Sequence, residues 1–202
     1  MVGHLRHISE NLASRVANGL GFEDMPSAPE TAAAIQEMPQ SPALQTIGKM
    51  KETLQGRSIG ILIADGSDIT VINSLKIAVT KAGASVKIVG PKIGGAKVSD
   101  GSIFPVDGQL AGTPSVLFDA IAIILSLEGA KALSKEASAI DFVRDAFGHL
   151  KAIGVDMGGE VLLQNANIDA DAGVLKLAVF DAFISAAKTR QWDREKLIRA
   201  LA

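Results

Sequence analysis

The sequence predicts a domain of the α/β class, a doubly wound parallel β-sheet with helices on both faces. Three observations lead to this prediction. From Gly56 onward, short strand patterns alternate with helix patterns, and this order is typical of parallel strands joined by crossover helices. The predicted strands are largely apolar rather than alternating, which is typical of strands covered on both faces. A hydrophobic fraction of 48% in 202 residues supplies enough apolar side chains for a sizeable core.

The residues before Gly56 do not share this pattern. Apolar residues at helical spacing predict one amphipathic helix from Leu5 to Leu20. A segment without periodicity follows, and it contains Pro26, Pro29, Pro39 and Pro42. We therefore expect three parts: a terminal helix at residues 1–20, an extended linker at residues 21–55 and the α/β domain at residues 56–202.

The first half of the predicted domain contains two strands and one helix. The run Arg57–Ala64 is rich in β-branched residues and predicts a buried strand. Asp68 is positioned to cap the helix that follows, and Ser85–Val89 predicts the second strand. The glycine-rich stretch Gly94–Gly112 contains short alternating pieces, which predict a hairpin or an irregular excursion.

The second half continues the alternation of strands and helices. Its predicted elements are the strand Asp119–Ser126, the helix Lys135–His149, the strand Lys151–Val155, the helices Gly158–Asn165 and Val179–Thr189, and a last helix from Asp193 to Leu201. Elements in this order predict a flavodoxin-like fold, in which ligands bind beyond the carboxyl ends of the strands.

Composition excludes several classes of function. The chain has no cysteine, which excludes disulfides, thiolate metal sites and cysteine nucleophiles, and it has three histidines and no tyrosine. Its 20 basic and 22 acidic residues give a net charge of -2 without a basic block, so we expect no nucleic-acid partner. The longest apolar stretch, Ala120–Leu125, is far shorter than the roughly 20 residues of a membrane span. We therefore expect a soluble protein without a membrane partner. The N-terminus lacks the apolar region of a secretory signal, which says nothing about compartment if the chain is a piece of a longer one, and a cytoplasmic location is an expectation only.

The loops after the predicted strands are acidic. Asp65 and Asp68 stand where a phosphate-binding protein would place small residues with free N–H groups, and their charge would repel phosphate. A helix cap at Asp68 and a turn at Gly66 are therefore favoured over a ligand site. The stretch Gly90–Lys97 resembles a phosphate-binding loop in composition, but it lacks the Gly-Lys-Ser/Thr ending and is interpreted as a turn.

The segment Val155–Glu160 runs from a strand through a sharp turn into a helix, which is the topology of a nucleophile elbow. Asp156 or Met157 stands at the place of the nucleophile. A carboxylate nucleophile needs an acid–base partner. His149 lies at the far end of the preceding helix, where we expect it to interact favourably with the dipole at the helix C-terminus. We therefore interpret Asp156, Met157, Gly158 and Glu160 as a vestigial elbow and expect no catalytic residue. A carboxylate-based hydrolase is the alternative.

Three further patterns have a functional and a structural interpretation. Five acidic residues in the predicted loops could converge to hold Mg²⁺ or Ca²⁺. We favour the interpretation that they are solvated loop residues, and no metal site is expected. The five residues are Asp65, Asp68, Glu128, Asp156 and Glu160. His4 and His7 have helical spacing without a third ligand and are expected at a polar face or interface. Trp192 could anchor a partner, although burial of the C-terminal helix against the domain is preferred.

These residues also carry a resemblance. The chain resembles the C-terminal portion of the large-subunit (clade 2) haem catalases in the segments His4–Gly21, Ser41–Leu44, Gly56–Gly66, Gly112–Ala120, Phe180–Phe183 and Arg190–Glu195. The resemblance implies a flavodoxin-like domain that follows the haem-binding core, with residues up to about Leu20 as the last helix of that core. It further implies that haem and peroxide chemistry belong to the parent, so we expect no enzyme activity and no cofactor in this chain.

The extra domain of that family is similar to the class I glutamine amidotransferase-like superfamily, whose hydrolases keep cysteine where this chain has Asp156. The implied role is to stabilise a parent that dismutes hydrogen peroxide, with the catalase core and tetramer as partners. Chaperones in the superfamily suggest a second role, holding unfolded client proteins. The alternative remains a residual carboxylate-based or metal-assisted hydrolase at Asp156 and Glu160.

Overall fold

The structure is a computed structural model and describes residues 1–30, 39, 41–45 and 48–199. The described helices are α1 Val2–Leu5, α2 Glu10–Gly19, α3 Ile69–Lys81, α4 Leu127–Leu133, α5 Ala137–Gly148, α6 Met157–Asn165, α7 Phe180–Ala186 and α8 Glu195–Arg199. The described strands are β1 Ser58–Ile63, β2 Ser85–Gly90, β3 Ala96–Lys97, β4 Ile103–Phe104, β5 Gly108–Gln109, β6 Ala120–Ile124, β7 Ile153–Val155 and β8 Val174–Lys176. The chain divides into two compact units, residues 1–49 with 196–202, and residues 50–195.

In the first unit, the N-terminal helix is broken into α1 and α2, so the prediction of one helix from Leu5 to Leu20 is wrong. Ser9 has an extended backbone, with φ -166°, and its side chain accepts a hydrogen bond of 3.3 Å from the Leu12 backbone N–H. A serine at this place caps a new helix better than it continues an old one. Part of the predicted linker, at residues 31–38, 40, 46 and 47, lies outside the described residues, and the linker remains a prediction.

The second unit is built on a six-stranded sheet in the order β5-β2-β1-β6-β7-β8. Every strand pair in this sheet is parallel. Both β1 and β6 are buried along nearly their whole length, as their continuous apolar sequences predict. The α/β fold with a parallel sheet is therefore confirmed.

The two faces of the sheet are covered by different helices. On one face, α3 packs against β2, α7 packs against β8, and the two helices contact each other; their core contains Ile61, Leu75 and Phe183. On the other face, α6 packs against β6 and β7, and α4 and α5 pack against α6. Helices on both faces define a doubly wound sheet, as predicted.

Several small elements differ from the predictions. The hairpin expected within Gly94–Gly112 exists as β3 and β4, but β5 leaves this excursion and joins the main sheet. Helix α4 and strand β8 were not predicted; they have seven and three residues, which is too short for a clear period. The last helix begins at Glu195, because Trp192–Arg194 form a 3₁₀ turn, and its predicted end at Leu201 lies outside the described residues.

Candidate functional site

Polar side chains gather at both ends of the parallel strands. We call the loops that follow β1, β6 and β7, at residues 64–68, 125–126 and 156–160, the carboxyl edge. We call the segments before β6 and β7 and after α7, at residues 114–119, 148–152 and 187–194, the amino edge. The sequence predicted chemistry at the carboxyl edge alone, since ligands of this fold bind there.

The acidic loop after β1 is fixed by its own backbone. The carboxylate of Asp68 accepts hydrogen bonds from Thr70 and Val71 and caps α3, as predicted. The carboxylate of Asp65 accepts a hydrogen bond of 2.8 Å from the backbone N–H of Lys97. Gly66 has φ +81°, a turn conformation that glycine adopts without strain, as the turn prediction requires.

The predicted elbow exists as a turn between β7 and α6. Asp156 is the N-cap of α6: Oδ1 accepts a hydrogen bond of 2.8 Å from Gly159, and Oδ2 accepts one of 2.9 Å from Leu125 at the end of β6. Its φ of -94° and ψ of -170° are ordinary extended values, unlike the strained backbone of a nucleophile elbow. Both carboxylate oxygens therefore hold backbone groups of two neighbouring elements in place.

The surroundings of Asp156 oppose its charge. Burial raises the pKa of the Asp156 carboxyl above its ordinary value, although hydrogen bonds from Gly159, Leu125 and Gly158 act in the other direction. His149 precedes β7, whereas Asp156 follows it, so the histidine stands at the opposite end of the strand. The Nδ1 atom of His149 lies 2.7 Å from the Asp145 carbonyl near the C-terminus of α5. This contact agrees with the expected interaction of His149 with the helix C-terminus.

A cavity of about 290 Å³ opens beside the elbow, lined by Val71, Val155, Asp156, Met157, Glu160, Lys176, Leu177 and Ala178. On its wall, Glu160 forms an ion pair with Lys176, with 3.1 Å between Oε1 and Nζ. Gly158 and Glu160 lie on the first turn of α6. Met157 lies at the rim of the cavity and is 72% exposed. The four predicted elbow residues are close together, and their interpretation as vestigial remains a prediction.

The five acids, for which a shared cation is the less favoured interpretation, form no metal site in the part of the chain that the structure describes. Among the described residues, no group of three or more histidine, aspartate or glutamate side chains is arranged to hold a metal ion. The carboxylates of Asp65, Asp68 and Asp156 accept backbone hydrogen bonds instead. His4 and His7 are neighbours with ring centroids 6.4 Å apart, again without a third ligand in the described part of the chain.

The amino edge holds a second cavity that the sequence did not predict. Its volume is about 370 Å³, and Lys151, Arg190 and Trp192 contribute to its lining. Beside it, Arg194 is buried and pairs with Asp171, with 2.6 Å between Nε and Oδ2. The one available sequence signal was a lysine at the start of an otherwise apolar strand, Lys151–Val155. Trp192 is half-buried in this wall, within the 3₁₀ turn.

Comparison with known proteins decides the family. Residues 55–194 match the family model described as the C-terminal domain found in long catalases. The chain belongs to this family. The catalase C-terminal domain described here is 38% identical over 98% of its length to catalase C of Rhizobium meliloti, and 32% identical over 84% to catalase HPII of Mycobacterium avium. Catalase-B of Dictyostelium discoideum is 30% identical over 96% of the chain. The predicted resemblance is therefore confirmed.

The catalase C-terminal domain spans less than a third of these relatives, since it covers 29%, 24% and 29% of their lengths. Among solved structures, it is similar to a two-domain protein from Anabaena variabilis with DJ-1/ThiJ/PfpI-like and ferritin-like domains. That similarity has a TM-score of 0.52 at 19% identity, over 57% of this chain and 34% of the other, and it concerns the fold. No helix among the described residues has the length and apolar character of a membrane span.

Proposed function

We propose that this catalase C-terminal domain is a non-catalytic module that stabilises the long catalase to which it belongs. The hydrogen bonding of Asp156 supports the non-catalytic role most directly. Each of its carboxylate oxygens accepts a backbone N–H, one at the start of α6 and one at the end of β6. The residue at the nucleophile position thus joins two elements of the fold, and its contacts are structural ones.

Peroxide chemistry and haem belong, in this proposal, to the parent. The chain has no tyrosine and no cysteine to ligate haem iron. His149 lines the amino-edge cavity, but its Nδ1 already lies 2.7 Å from the Asp145 carbonyl. The partners of the module are the catalase core and the tetramer that such parents form, and its contribution is to hold that assembly together during heating or in denaturant.

A truncation and a chimaera test the stabilising role. Catalase C of Rhizobium meliloti would be prepared whole, without its C-terminal region, and with that region replaced by this chain. We expect the truncated enzyme to lose peroxide breakdown and its haem absorption band at a lower temperature, and the chimaera to recover at least half of the difference. Equal heat resistance of the whole and truncated enzymes would contradict the proposal.

The non-catalytic part of the proposal has its own test. The isolated chain is expected to hydrolyse an activated ester no faster than an inert protein of equal mass. Hydrolysis above that control, abolished by Asp156→Asn in a variant with an unchanged melting temperature, would establish the alternative, a carboxylate-based hydrolase. Hydrolysis that Asp156→Asn leaves unchanged would exclude Asp156 as its nucleophile.

A second role, as a holdase for unfolded proteins, is favoured by the apolar rim of the carboxyl-edge cavity. Met157 is 72% exposed and borders the cavity, and Val179, next to the lining residue Ala178, is 61% exposed. Exposed apolar side chains beside an open cavity provide a surface on which apolar segments of an unfolded chain could be held. We expect the domain to reduce light scattering from a heat-aggregating client protein at a near-stoichiometric ratio.

A matched pair of variants locates the client surface. Met157→Glu places a charge at the cavity rim, where an acidic residue suits the first turn of α6. Ile77→Glu changes an equally exposed apolar residue on α3, away from the residues that line this cavity. We expect the first variant to lose the suppression of scattering and the second to keep it. An equal effect of the two variants, or no suppression beyond an inert protein, would contradict the holdase role.

A further inference from the structure

The amino-edge cavity has the composition of a ligand site, although the proposed function does not use it. Its lining includes two cationic residues, Lys151 and Arg190, and the single tryptophan, Trp192. Its volume of about 370 Å³ falls in the range of pockets that bind small molecules. Apolar residues, among them Val116 and Leu150, form much of the remaining wall.

Lys151 is a buried cation that no carboxylate among the described residues contacts directly. It is 2% exposed, and its Nζ donates a hydrogen bond of 2.6 Å to the carbonyl of Ser115, in the peptide group that leads to the wall residue Val116. In the described part of the chain it belongs to no ion pair. An ammonium group can donate three hydrogen bonds, and a buried charge without an opposite charge is strongly unfavourable. An anion in the cavity would supply the direct ion pair that the carboxylates of Asp119 and Asp145 do not form.

Arg190 adds a second cation with unused hydrogen-bonding capacity. Its Nη1 lies 3.4 Å from the carbonyl oxygens of Asp119 and His149, which are long contacts. By contrast, the neighbouring Arg194 donates to both carboxylate oxygens of Asp171, at 2.6 and 2.7 Å. The planar guanidinium of Arg190 therefore has donors available for a carboxylate or a phosphate.

Trp192 specifies the rest of the ligand. A half-buried indole in the wall of a mostly apolar cavity offers a flat surface for a ring. We propose that the amino-edge cavity binds a small aromatic anion, whose carboxylate or phosphate contacts Lys151 and Arg190 and whose ring packs on Trp192. The ligand class combines the two features that the cavity presents, paired positive charge and an aromatic wall.

Titration of Lys151 is consistent with this site. Burial lowers the pKa of Lys151 to about 8, Arg190 acts in the same direction, and the carboxylates of Asp119 and Asp145 oppose the shift. His149 also lines the cavity, and Arg194 donates a hydrogen bond to the Lys151 carbonyl. A bound anion favours the charged ammonium, so the affinity is expected to fall as the pH rises above about 8.

The chain provides its own reporter for a binding experiment. Trp192 is its single tryptophan and there is no tyrosine, so tryptophan fluorescence reports on this cavity. The probes are benzoate and phenyl phosphate, with benzamide as the neutral isostere of benzoate and cyclohexanecarboxylate as the anion without an aromatic ring. We expect benzoate or phenyl phosphate to bind with a dissociation constant of about 1 mM or below, and benzamide and cyclohexanecarboxylate to bind at least about tenfold more weakly.

Two variants remove the cations one at a time. Lys151→Met replaces a buried, unpaired cation by an apolar side chain of similar length, so it should fold, and Arg190→Gln provides a second test at a less buried position. Each is expected to weaken binding of the aromatic anion at least about tenfold, whereas Lys81→Met on the exposed side of α3 should bind as the natural chain does. Equal binding of benzoate and benzamide, unchanged binding in folded Arg190→Gln, or no saturable response to either anion would overturn the proposal.

Discussion

Three acids at one edge of the sheet and two cations at the other differ in how their charges are paired. At the carboxyl edge, Asp65, Asp68 and Asp156 each accept hydrogen bonds from backbone N–H groups. At the amino edge, Lys151 and Arg190 contact carbonyl oxygens and form no ion pair among the described residues. These three acids are therefore satisfied within the fold, whereas Lys151 and Arg190, unlike Arg194 at the same edge, have no carboxylate partner among the described residues.

This difference shows why topology alone does not locate a site. The turn at Asp156 has the position of a nucleophile elbow, yet helix N-termini present free N–H groups, and a carboxylate placed there is used as a cap. The amino edge has no such topology, but its buried cation Lys151 forms no ion pair among the described residues. The proposed anion site therefore rests on an unpaired buried charge, and the position of Asp156 in the fold alone does not make it catalytic.

The largest expected effect comes from adding one methyl group at the carboxyl edge. The Cβ of Gly158→Ala would lie 2.1 Å from the carbonyl oxygen of Leu125, a backbone atom at the end of β6 that has little freedom to move. We expect the free energy of unfolding to fall by about 3 kcal/mol or more, as measured by urea denaturation. Gly94→Ala is the control, because its Cβ would meet no atom within 4 Å. Similar stability of the two variants would show that α6 does not pack closely on β6.

The next effect separates a paired cation from an unpaired one. Arg194 is 1% exposed, and Asp171→Asn would leave its charge buried without a carboxylate. We expect a loss of about 2 to 3 kcal/mol in the free energy of unfolding at neutral pH. Glu160→Gln breaks the ion pair to Lys176, which is 79% exposed, and should change stability by less than about 1 kcal/mol. Equal losses would show that burial does not distinguish the two pairs.

The ion pair between Arg194 and Asp171 predicts how stability responds to acid. Burial opposes the charge of Asp171, but the guanidinium of Arg194 outweighs this and lowers the pKa of the carboxyl below its ordinary value. Its contribution is present above the unfolded pKa, near 4, and is lost as the pH falls through the lower folded value. The difference in stability between the natural chain and Asp171→Asn should therefore shrink below about pH 4.

A smaller effect is expected at Asp156, where two hydrogen bonds can be separated. Asp156→Ala removes both, the cap on Gly159 and the bond to Leu125, and should lower the free energy of unfolding by about 2 kcal/mol. Asp156→Ser keeps a capping oxygen and should lose about 1 kcal/mol. Thermal unfolding of both variants measures the difference. Equal losses in the two variants would show that the bond to Leu125, and not the cap, carries the stabilisation.

The sequence predicted the elements whose physical cause is local. Asp68 and Asp156 each precede a run with helical period, and the continuous apolar strand at Asp119–Ser126 requires cover on both faces. Hence α3, α6 and the parallel sheet could be predicted. The break at Ser9 was missed because a cap inside an amphipathic pattern leaves the period unchanged, and β8 was missed because three residues define no period.

The amino-edge cavity could not be predicted from the sequence for a different reason. Its wall combines residues 116, 151, 190 and 192, which are brought together by the order of the strands and the return of the chain after α7. Nothing in the local pattern of Lys151 indicates that its Nζ reaches Ser115, 36 residues earlier. Long-range proximity of this kind follows from the topology of the fold. Helix caps and hydrophobic periods, by contrast, can be recognised in a few consecutive residues of the sequence.

The smallest expected effect tests the unpaired lysine through the pH dependence of stability. The pKa of Lys151 is about 8 in the folded chain, below the value near 10.4 of an unfolded lysine, so between these values the unfolded chain binds more protons. Lys151 therefore makes the free energy of unfolding rise with pH, by about 1 kcal/mol between about pH 7 and 9. Lys151→Met should lack this rise, whereas Lys81→Met should keep it, as followed by urea denaturation at each pH. The same rise in both variants would assign it to another group and show that Lys151 is solvated in solution.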